Sequence, residues 1–305
     1  MKEVRQLKKR IFKGAATAIV TPLHQDGSIN YDSFKKLIEF QIKSGVDAIV
    51  VCGTTGEAST LSYTEHLRVT EFCCEQVDGR IPVLAGSGSN DTAHAVEQSK
   101  KCCEIGVDGL LVVTPYYNKT SQNGLIQHYF KIADACESPI MLYNVPSRTG
   151  LNILPETYKK LSEHENIVAV KEANGNISSI AKTAMLCKND LAIYSGNDDQ
   201  IVPILSLGGQ GAISVLSNIV PFVVSKICRL FFDGDTEKSK SLQLEYLELI
   251  DALFCDVNPM PIKHVLNLTG YEAGPCRLPL TSVSEEKKAY IYDVLQKYGL
   301  VDDAV

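Results

Sequence analysis

The sequence predicts an α/β protein, a (β/α)8 TIM barrel, because short apolar runs alternate with amphipathic stretches and eight such runs occur. Several runs are apolar on both faces, which is typical of parallel strands covered by helices. The predicted strands are residues 15–20, 48–52, 82–85, Gly109–Val113, 140–143, 167–170, Ala192–Ser195 and 211–215. An open doubly wound sheet is the alternative, and the count of eight favours the barrel.

Amphipathic helices are predicted between the strands. In residues 31–44 the apolar side chains form one stripe, and Gly45 follows as a helix stop. A weak internal repeat supports the alternation: S-G-V-D-A-I-V-V at residues 44–51 resembles I-G-V-D-G-L-L-V at residues 105–112. The two copies lie about 60 residues apart, which matches two strand–helix units.

The last part of the chain has no strand pattern. It is predicted to form three helices over residues 237–254, 259–268 and 284–298. We therefore predict two regions: a (β/α)8 barrel over residues 1–234 that carries the active site, and a C-terminal helical region over residues 235–305.

Charge and composition argue against several classes of protein. The 30 basic and 36 acidic residues give a net charge of −6, which provides no electrostatic attraction to nucleic acid or an anionic membrane. No apolar segment approaches the length of a membrane span. We expect the one basic run to be a solvated arm rather than a signal peptide; it consists of Lys2, Arg5, Lys8, Lys9 and Arg10.

The ten cysteines indicate a reducing compartment. They form no C-x-x-C motif, and no histidine lies at metal-ligand spacing from them. We interpret them as small buried hydrophobic residues of a cytoplasmic protein that holds no metal.

Polar residues gather where the predicted strands end, which is where barrels of this type carry their active sites. These ends read G-T-T-G-E at 53–57, T-P-Y-Y-N at 114–118, Y-N-V-P-S-R-T-G at 143–150, K-E at 171–172 and S-G-N-D at 195–198.

Lys171 is the most informative of these residues. It closes a fully apolar run, so we expect its amine to be desolvated; desolvation lowers the pKa of a lysine and makes it nucleophilic. The alternative is a structural lysine that extends to solvent or pairs with Glu172.

The other strand ends offer groups that suit a small carboxylate substrate. Backbone N–H groups and hydroxyls at Thr54 and Thr55 suit an anion, although such a turn also caps helices. The phenols of Tyr117 and Tyr143 can pass protons, or merely pack at the rim. Arg148 suits a second carboxylate, or is a surface arginine.

Taken together, G-T-T-G-E, T-P-Y-Y-N, Y-N-V-P-S-R-T-G and V-A-V-K-E-A occur in the order that is found in a known family. The chain closely resembles the 4-hydroxy-tetrahydrodipicolinate synthase (dihydrodipicolinate synthase) family, within the N-acetylneuraminate lyase superfamily. The resemblance covers nearly the whole chain from Gly14 onwards. It implies a lyase that joins pyruvate to L-aspartate 4-semialdehyde in diaminopimelate and lysine biosynthesis. It also implies a covalent lysine–pyruvate imine, no cofactor, and a homotetramer built as a dimer of dimers.

The resemblance also implies a role for each residue. Lys171 forms the imine, and the proton relay is formed by Tyr143, Thr55 and Tyr117, the last reaching across a tight dimer interface. Thr54 and Thr55 hold the pyruvate carboxylate. The remaining substrate-binding residues are Arg148, Gly196 and Ile213.

Arg148 separates the candidate functions. Sialic acid lyases of the superfamily lack an arginine at this place, because a sugar chain needs no cation there. Arg148 therefore favours the synthase over a second hypothesis, an aldolase for 2-oxo sugar acids. A third hypothesis, a catalytically silent barrel that serves as a binding protein, predicts loss of the lysine or the tyrosines, and all are present.

Lysine-inhibited members of the family use a cleft at the dimer interface. Strongly inhibited members carry a histidine where Tyr63 stands and a glutamate where His94 stands. Loss of that glutamate removes an anionic partner for the ligand's ammonium, so we expect weak or absent inhibition by lysine. The positions that match this cleft are Ala58, Ser59, Tyr63, His66, Asn90, His94 and Tyr116.

Overall fold

The computed structural model describes residue 8 and residues 10–301, and its eight parallel strands form a closed barrel in the order β1 to β8. The predicted barrel is therefore confirmed, and the open sheet is not what the chain forms. The strands are β1 Gly14–Ala18, β2 Ala48–Val51, β3 Val83–Gly86, β4 Gly109–Val113, β5 Ile140–Asn144, β6 Ile167–Glu172, β7 Ala192–Ser195 and β8 Gly211–Ser214.

The strand β6 is longer than the sequence pattern predicts. Apolar residues end at Val170, but the ladder continues through Lys171 and Glu172. These two residues pair in register with Tyr143 and Asn144 of β5. The hydrogen-bonded ladder thus fixes the backbone of Lys171 against that of Tyr143.

Thirteen α-helices occur in the described part of the chain, and none of them is both long and apolar enough to cross a membrane. Gly45 follows α1 with φ of +77°, which confirms that it ends that helix, and Gly106 follows α3 with φ of +96°. The helices are α1 Tyr31–Lys43, α2 Tyr63–Val77, α3 Thr92–Ile105, α4 Gln122–Ala133, α5 Pro146–Thr149, α6 Pro155–Leu161, α7 Ile177–Cys187, α8 Ile201–Ser206, α9 Pro221–Phe232, α10 Thr236–Glu245, α11 Leu247–Leu253, α12 Met260–Leu268 and α13 Glu285–Lys297.

The single helix predicted over residues 237–254 is two helices, α10 and α11, which meet at Tyr246. The Tyr298 ring lies 5.1 Å from the Tyr246 ring, and the Tyr298 hydroxyl donates to the carbonyl of Glu245 at 2.7 Å. The Tyr298 hydroxyl thus provides a hydrogen-bond donor for a carbonyl at the junction of α10 and α11.

The chain divides into two compact units. The central unit comprises Leu84–Ala212 with the described residues before Gly14, and the terminal unit comprises Gly14–Val83 with Ile213–Val305. The helices α9 to α13 thus belong to the same unit as β1 and β2. The separate helical region over residues 235–305 remains a prediction.

The N-terminal basic run is not simply a solvated arm. Its Lys8 lies in the central unit, where the amine donates to the carbonyls of Ser162, His164 and Ile167, each at 2.7 Å. The expectation is therefore wrong for Lys8, because three carbonyl oxygens replace its solvent. Arg10 is exposed as expected, and the other members, Lys2, Arg5 and Lys9, lie outside the described residues.

Candidate active site

Lys171 lies at the end of β6 in the central unit, with only 6% of its surface exposed. Its backbone pairs with Tyr143 of β5 and Tyr194 of β7. The amine Nζ lies 4.5 Å from the centroid of the Tyr143 ring. The structure therefore brings together the two residues that the sequence proposed as nucleophile and proton carrier.

The Lys171 amine is not neutralised by a carboxylate. Within residue 8 and residues 10–301, it makes no ion pair or hydrogen bond. The adjacent Glu172 is held by other groups: it accepts from the hydroxyl of Tyr158 at 2.7 Å and from Nδ2 of Asn144 at 2.9 Å. The structural alternative for Lys171, a pair with Glu172, is therefore not observed.

Glu172, the residue that follows Lys171 in the sequence, is a buried carboxyl. Burial raises its pKa from about 4.5 to about 7, opposed by hydrogen bonds from Tyr158 and Asn144. A third donor, the N–H of Asn174, lies 2.9 Å from Oε1. These contacts tie the ends of β5 and β6 to the helix α6, which carries Tyr158.

Gly196 provides the space that Lys171 occupies. A Cβ at this position would lie 2.9 Å from Cβ of Ala173 and 3.1 Å from Cγ of Lys171. Its N–H donates to the carbonyl of Glu172 at 2.8 Å, which holds the loop after β7 against β6. A side chain here would force Ala173 and the stem of Lys171 to shift.

The loop after β5 carries Arg148 on the short helix α5, where its side chain is exposed. The next residue, Thr149, is buried, and its Oγ1 accepts from Oγ1 of Thr114 at 3.1 Å. The N–H of Thr114 donates to the carbonyl of Tyr143 at 3.1 Å. The loop that presents Arg148 is thus anchored to the end of β4.

Tyr117 differs from Tyr143 in its surroundings. Its backbone has φ of +70°, a left-handed conformation that a residue with a Cβ adopts only when its surroundings impose it. The side chain is 91% exposed, whereas that of Tyr143 is 7% exposed. The loop after β4 therefore projects this phenol into solvent, away from the packed interior.

Thr54 and Thr55 lie in the terminal unit, in the loop that follows β2. Thr55 is 2% exposed, and its Oγ1 accepts from Nδ2 of Asn258 at 3.0 Å. At Gly56 a Cβ would lie 3.2 Å from the carbonyl oxygen of Ile19, so the loop packs closely against β1 and its end. The hydroxyl of Thr55 is thereby fixed in position.

Glu57, which follows Thr55 and Gly56, anchors the loop after β2. It has φ of +55°, and its carboxylate accepts from the amine of Lys263 and, at 2.9 Å, from the N–H of Arg277. The Lys263 amine also donates to the carbonyl of Pro275 at 2.7 Å. Burial lowers the pKa of Lys263, and the Glu57 charge opposes that shift.

Comparisons with known proteins identify the family of this chain. The model of the dihydrodipicolinate synthetase family matches residues 11–298. The chain belongs to this family.

Relatives confirm the assignment over almost the full length of the chain. The 4-hydroxy-tetrahydrodipicolinate synthase 1 of Clostridium acetobutylicum is 55% identical over 95% of this chain and 99% of that protein. The solved dihydrodipicolinate synthase of Acinetobacter baumannii, complexed with pyruvate, matches with a TM-score of 0.94 and 40% identity, over 96% of this chain and 100% of that one. A lysine-bound structure from Cyanidioschyzon merolae has a TM-score of 0.93 and 39% identity, over 96% and 100%.

Sequence reasoning about this synthase-family chain missed the groups that hold the site residues. Glu57 and Glu172 lie inside the G-T-T-G-E and V-A-V-K-E-A motifs. Their position beside predicted site residues was the only sequence feature that could have marked them. Asn258 and Lys263 lie more than 200 positions beyond the loop they contact, and no local pattern marks them. Ile213 lies in β8 with 1% of its surface exposed, which suits a main-chain role.

The residues of the possible lysine cleft fall into both units. In the terminal unit, Ala58 and Ser59 begin a 3-10 turn, Tyr63 begins α2, and His66 lies one turn further with 3% exposure. In the central unit they are Asn90, the exposed His94 of α3, and Tyr116, which is 39% exposed.

Proposed function

We propose that this chain condenses pyruvate with L-aspartate 4-semialdehyde through an imine on Lys171. As a member of its family the chain is a lyase of diaminopimelate and lysine biosynthesis that forms 4-hydroxy-tetrahydrodipicolinate. The observation that carries the proposed mechanism is the buried Lys171 amine, which has no carboxylate partner in the part of the chain that the structure describes and lies against the Tyr143 ring. The pyruvate in the Acinetobacter baumannii relative supports the first substrate.

The reaction is covalent catalysis by an amine. Lys171 attacks the C2 carbonyl of pyruvate, and loss of water gives the imine. The methyl group then loses a proton to give the enamine, which attacks the aldehyde carbon of the second substrate. The amino group of the adduct attacks C2 and displaces Lys171, which closes the ring. The protonated imine is the electron sink, so this mechanism needs no cofactor or metal.

Proton transfers in this scheme belong to Tyr143, Thr55 and Tyr117. Tyr143 already lies against Lys171, and Thr55 is held by Asn258. The exposure of Tyr117 supports its use in the site of a neighbouring subunit, in a homotetramer built as a dimer of dimers. Thr54 and Thr55 hold the pyruvate carboxylate, and main-chain groups of Gly196 and Ile213 line the site.

Arg148 binds the carboxylate of the semialdehyde. Its exposed position on an anchored loop supports a contact with the second substrate rather than with the imine. In a coupled assay we expect turnover with aspartate semialdehyde and none with N-acetylmannosamine. Arg148→Leu raises KM for the semialdehyde at least tenfold and leaves pyruvate trapping unchanged. Turnover with the sugar alone would establish the sugar-acid aldolase instead.

We further propose that lysine inhibits this enzyme weakly or not at all, because Tyr63 and His94 provide no carboxylate for the lysine ammonium. Half-inhibition at micromolar or low-millimolar lysine would contradict this. No disulfide joins any of the ten cysteines, all of which lie in the described part of the chain, and this supports a cytoplasmic location.

A further inference from the structure

The central unit contains a cavity at the N-terminal end of β6 and β7. It has a volume of about 190 Å³ and is lined by residues from the segment before β1, the turn after α7 and the loop between α8 and β8. Side chains near the starts of the two strands, such as Val168 and Leu191, form its apolar wall. The cavity is distinct from the proposed site of condensation, because Lys171 lies at the other end of β6.

The charged residues that line this cavity are all cations. They are Lys8, Arg10 and Lys188, and no acidic residue of the described chain lines the cavity with them. The acid nearest to Lys188 in sequence, Asp190, is paired with Lys159 at 3.2 Å. The chain as a whole carries a net charge of −6, so three cations around one small cavity are a local exception. Such a concentration of positive charge attracts a small anion.

The three cations differ in what they offer to a ligand. The Lys8 amine donates its hydrogen bonds to three backbone carbonyls, so it provides a positive charge that is fixed in position. Arg10 and Lys188 are exposed, and neither side chain makes an ion pair with another described residue. Their side-chain N–H groups are therefore the donors that an anion in the cavity meets.

Lys188 has an unusual backbone conformation at the end of α7. Its φ is +49° and its ψ is −123°, and its N–H donates to the carbonyl of Ala184. Residues with a Cβ rarely adopt a positive φ, and strained residues of this kind cluster at active sites and at positions that hold ligands. Because Lys188 lines the cavity, the strained turn presents its amine to the same space as Arg10.

Gln210 contributes a hydrogen-bond acceptor to the cavity wall. Its Nε2 donates to the carbonyl of Gly208 at 2.8 Å, and its backbone N–H donates to the carbonyl of Ile193 at 2.8 Å. These bonds fix the residue, yet its Oε1 is buried and accepts from no described residue. A buried oxygen without a donor is costly. Since Gln210 lines the cavity, a ligand with a hydroxyl group satisfies this oxygen.

We propose that this cavity binds a small phosphate anion that also donates a hydrogen bond. A phosphate carries up to two negative charges at neutral pH, so several cations around one cavity suit it better than they suit a single carboxylate. The N–H groups of Arg10 and Lys188 donate to the phosphate oxygens, and the fixed charge of Lys8 adds to the attraction. A hydroxyl of the ligand donates to Oε1 of Gln210. Inorganic phosphate and a phosphate monoester with a hydroxyl group share this chemistry.

Isothermal titration calorimetry of the full chain at pH 7 tests the proposal with inorganic phosphate and with sulfate at equal ionic strength. Sulfate has the shape and charge of a phosphate dianion but no hydroxyl to donate to Gln210. We expect a single saturable site for phosphate and about tenfold weaker binding of sulfate, which corresponds to the loss of one hydrogen bond. Gln210→Leu removes this preference by weakening the binding of phosphate alone. A parallel titration with glycerol 3-phosphate identifies the source, since the tighter of the two phosphates is the better ligand.

Substitution of the cations provides the second measurement. Arg10→Met and Lys188→Met each weaken phosphate binding by about tenfold or more, because each removes a charged donor. Lys182→Met is the matched control, since Lys182 is an exposed lysine of α7 that does not line the cavity. It leaves the affinity unchanged. Circular dichroism of each variant establishes that it is folded.

A titration in saturating pyruvate separates this cavity from the proposed active site, and the affinity for phosphate stays the same there. Arg148→Leu also leaves it unchanged. The proposal would be overturned by any of four results: no saturable binding of phosphate, an unchanged affinity in Lys188→Met, equal affinities of the wild type for phosphate and sulfate, or displacement of phosphate by pyruvate.

Discussion

Among the described residues, Lys171 and Lys263 are the two lysines that are almost completely buried, with 6% and 2% of their surface exposed, and their surroundings are opposite. Lys263 in the terminal unit is paired with Glu57 and with the carbonyl of Pro275. Within residue 8 and residues 10–301, Lys171 of the central unit pairs with no carboxylate, and its amine lies against the face of Tyr143.

The difference teaches that burial alone does not make a lysine a nucleophile. A buried ammonium held by a carboxylate is stabilised in its charged form and has no accessible lone pair. The Lys171 amine lies against an aromatic face, and Gly196 has no side chain to crowd the lysine stem. Lys263 thus supports the loop that carries Thr55, and Lys171 is the lysine that we propose as the nucleophile.

The same substitution at the two lysines gives the largest contrast. Lys171→Met removes the amine at nearly constant volume, so kcat falls by on the order of 10³-fold or more, since no imine forms. The free energy of unfolding changes by less than about 1.5 kcal/mol, because no charge loses a partner. Steady-state assays and urea denaturation of the one variant measure both. A kcat within tenfold of the wild type would refute the assignment of Lys171.

Lys263→Met has the opposite result. It leaves the Glu57 carboxylate buried without its cation, which lowers the free energy of unfolding by about 3–5 kcal/mol. Glu57→Gln in the same background restores part of the loss, because the unpaired charge is removed. Denaturant unfolding of the single and double variants measures both effects. A loss below about 1 kcal/mol would mean that the buried pair contributes little to the terminal unit.

Glu172 gives a smaller, pH-dependent effect. Its pKa is raised to about 7 in the folded chain, so the folded state holds the proton more tightly than the unfolded state does. Its contribution to stability is therefore greatest below about pH 4.5 and is lost as the pH rises to 7. Glu172→Gln removes this titration, so the stability of the variant relative to wild type rises by up to about 3 kcal/mol over that interval.

Urea denaturation of Glu172→Gln at half-unit steps from pH 5 to pH 8 measures this change. Glu156→Gln on the exposed side of α6 is the matched control, and its difference from wild type stays flat. If the free energy of unfolding varied with pH in the same way for wild type and Glu172→Gln, Glu172 would titrate as an exposed carboxyl does.

Local sequence patterns predicted the fold well because the strands and helices are marked by nearby apolar residues and glycines. The strands Gly109–Val113 and Ala192–Ser195 lie where the apolar runs place them, and Gly45 ends its helix. The end of β6 was missed because Lys171 is polar, although the ladder with β5 continues through it. Hydrophobic periodicity reports the buried face and cannot report a buried amine.

The site was predicted only in part for a related reason. Strand-end motifs and family resemblance singled out Lys171, Tyr143 and Gly196, which the central unit brings together. The partners that hold the Thr55 loop, Asn258 and Lys263, come from a distant segment. Such contacts depend on how the chain closes on itself, and a single sequence without homologues carries no sign of them.

Borohydride trapping tests the central claim most directly. The full chain is incubated with pyruvate, reduced with borohydride and digested. The masses of the peptides that carry Lys171 and Lys263 are then measured by mass spectrometry. The contrast between the two lysines predicts one reduced pyruvyl adduct, on Lys171 alone, and none in Lys171→Met. An adduct on Lys263, or no adduct on Lys171 in an active preparation, would contradict it.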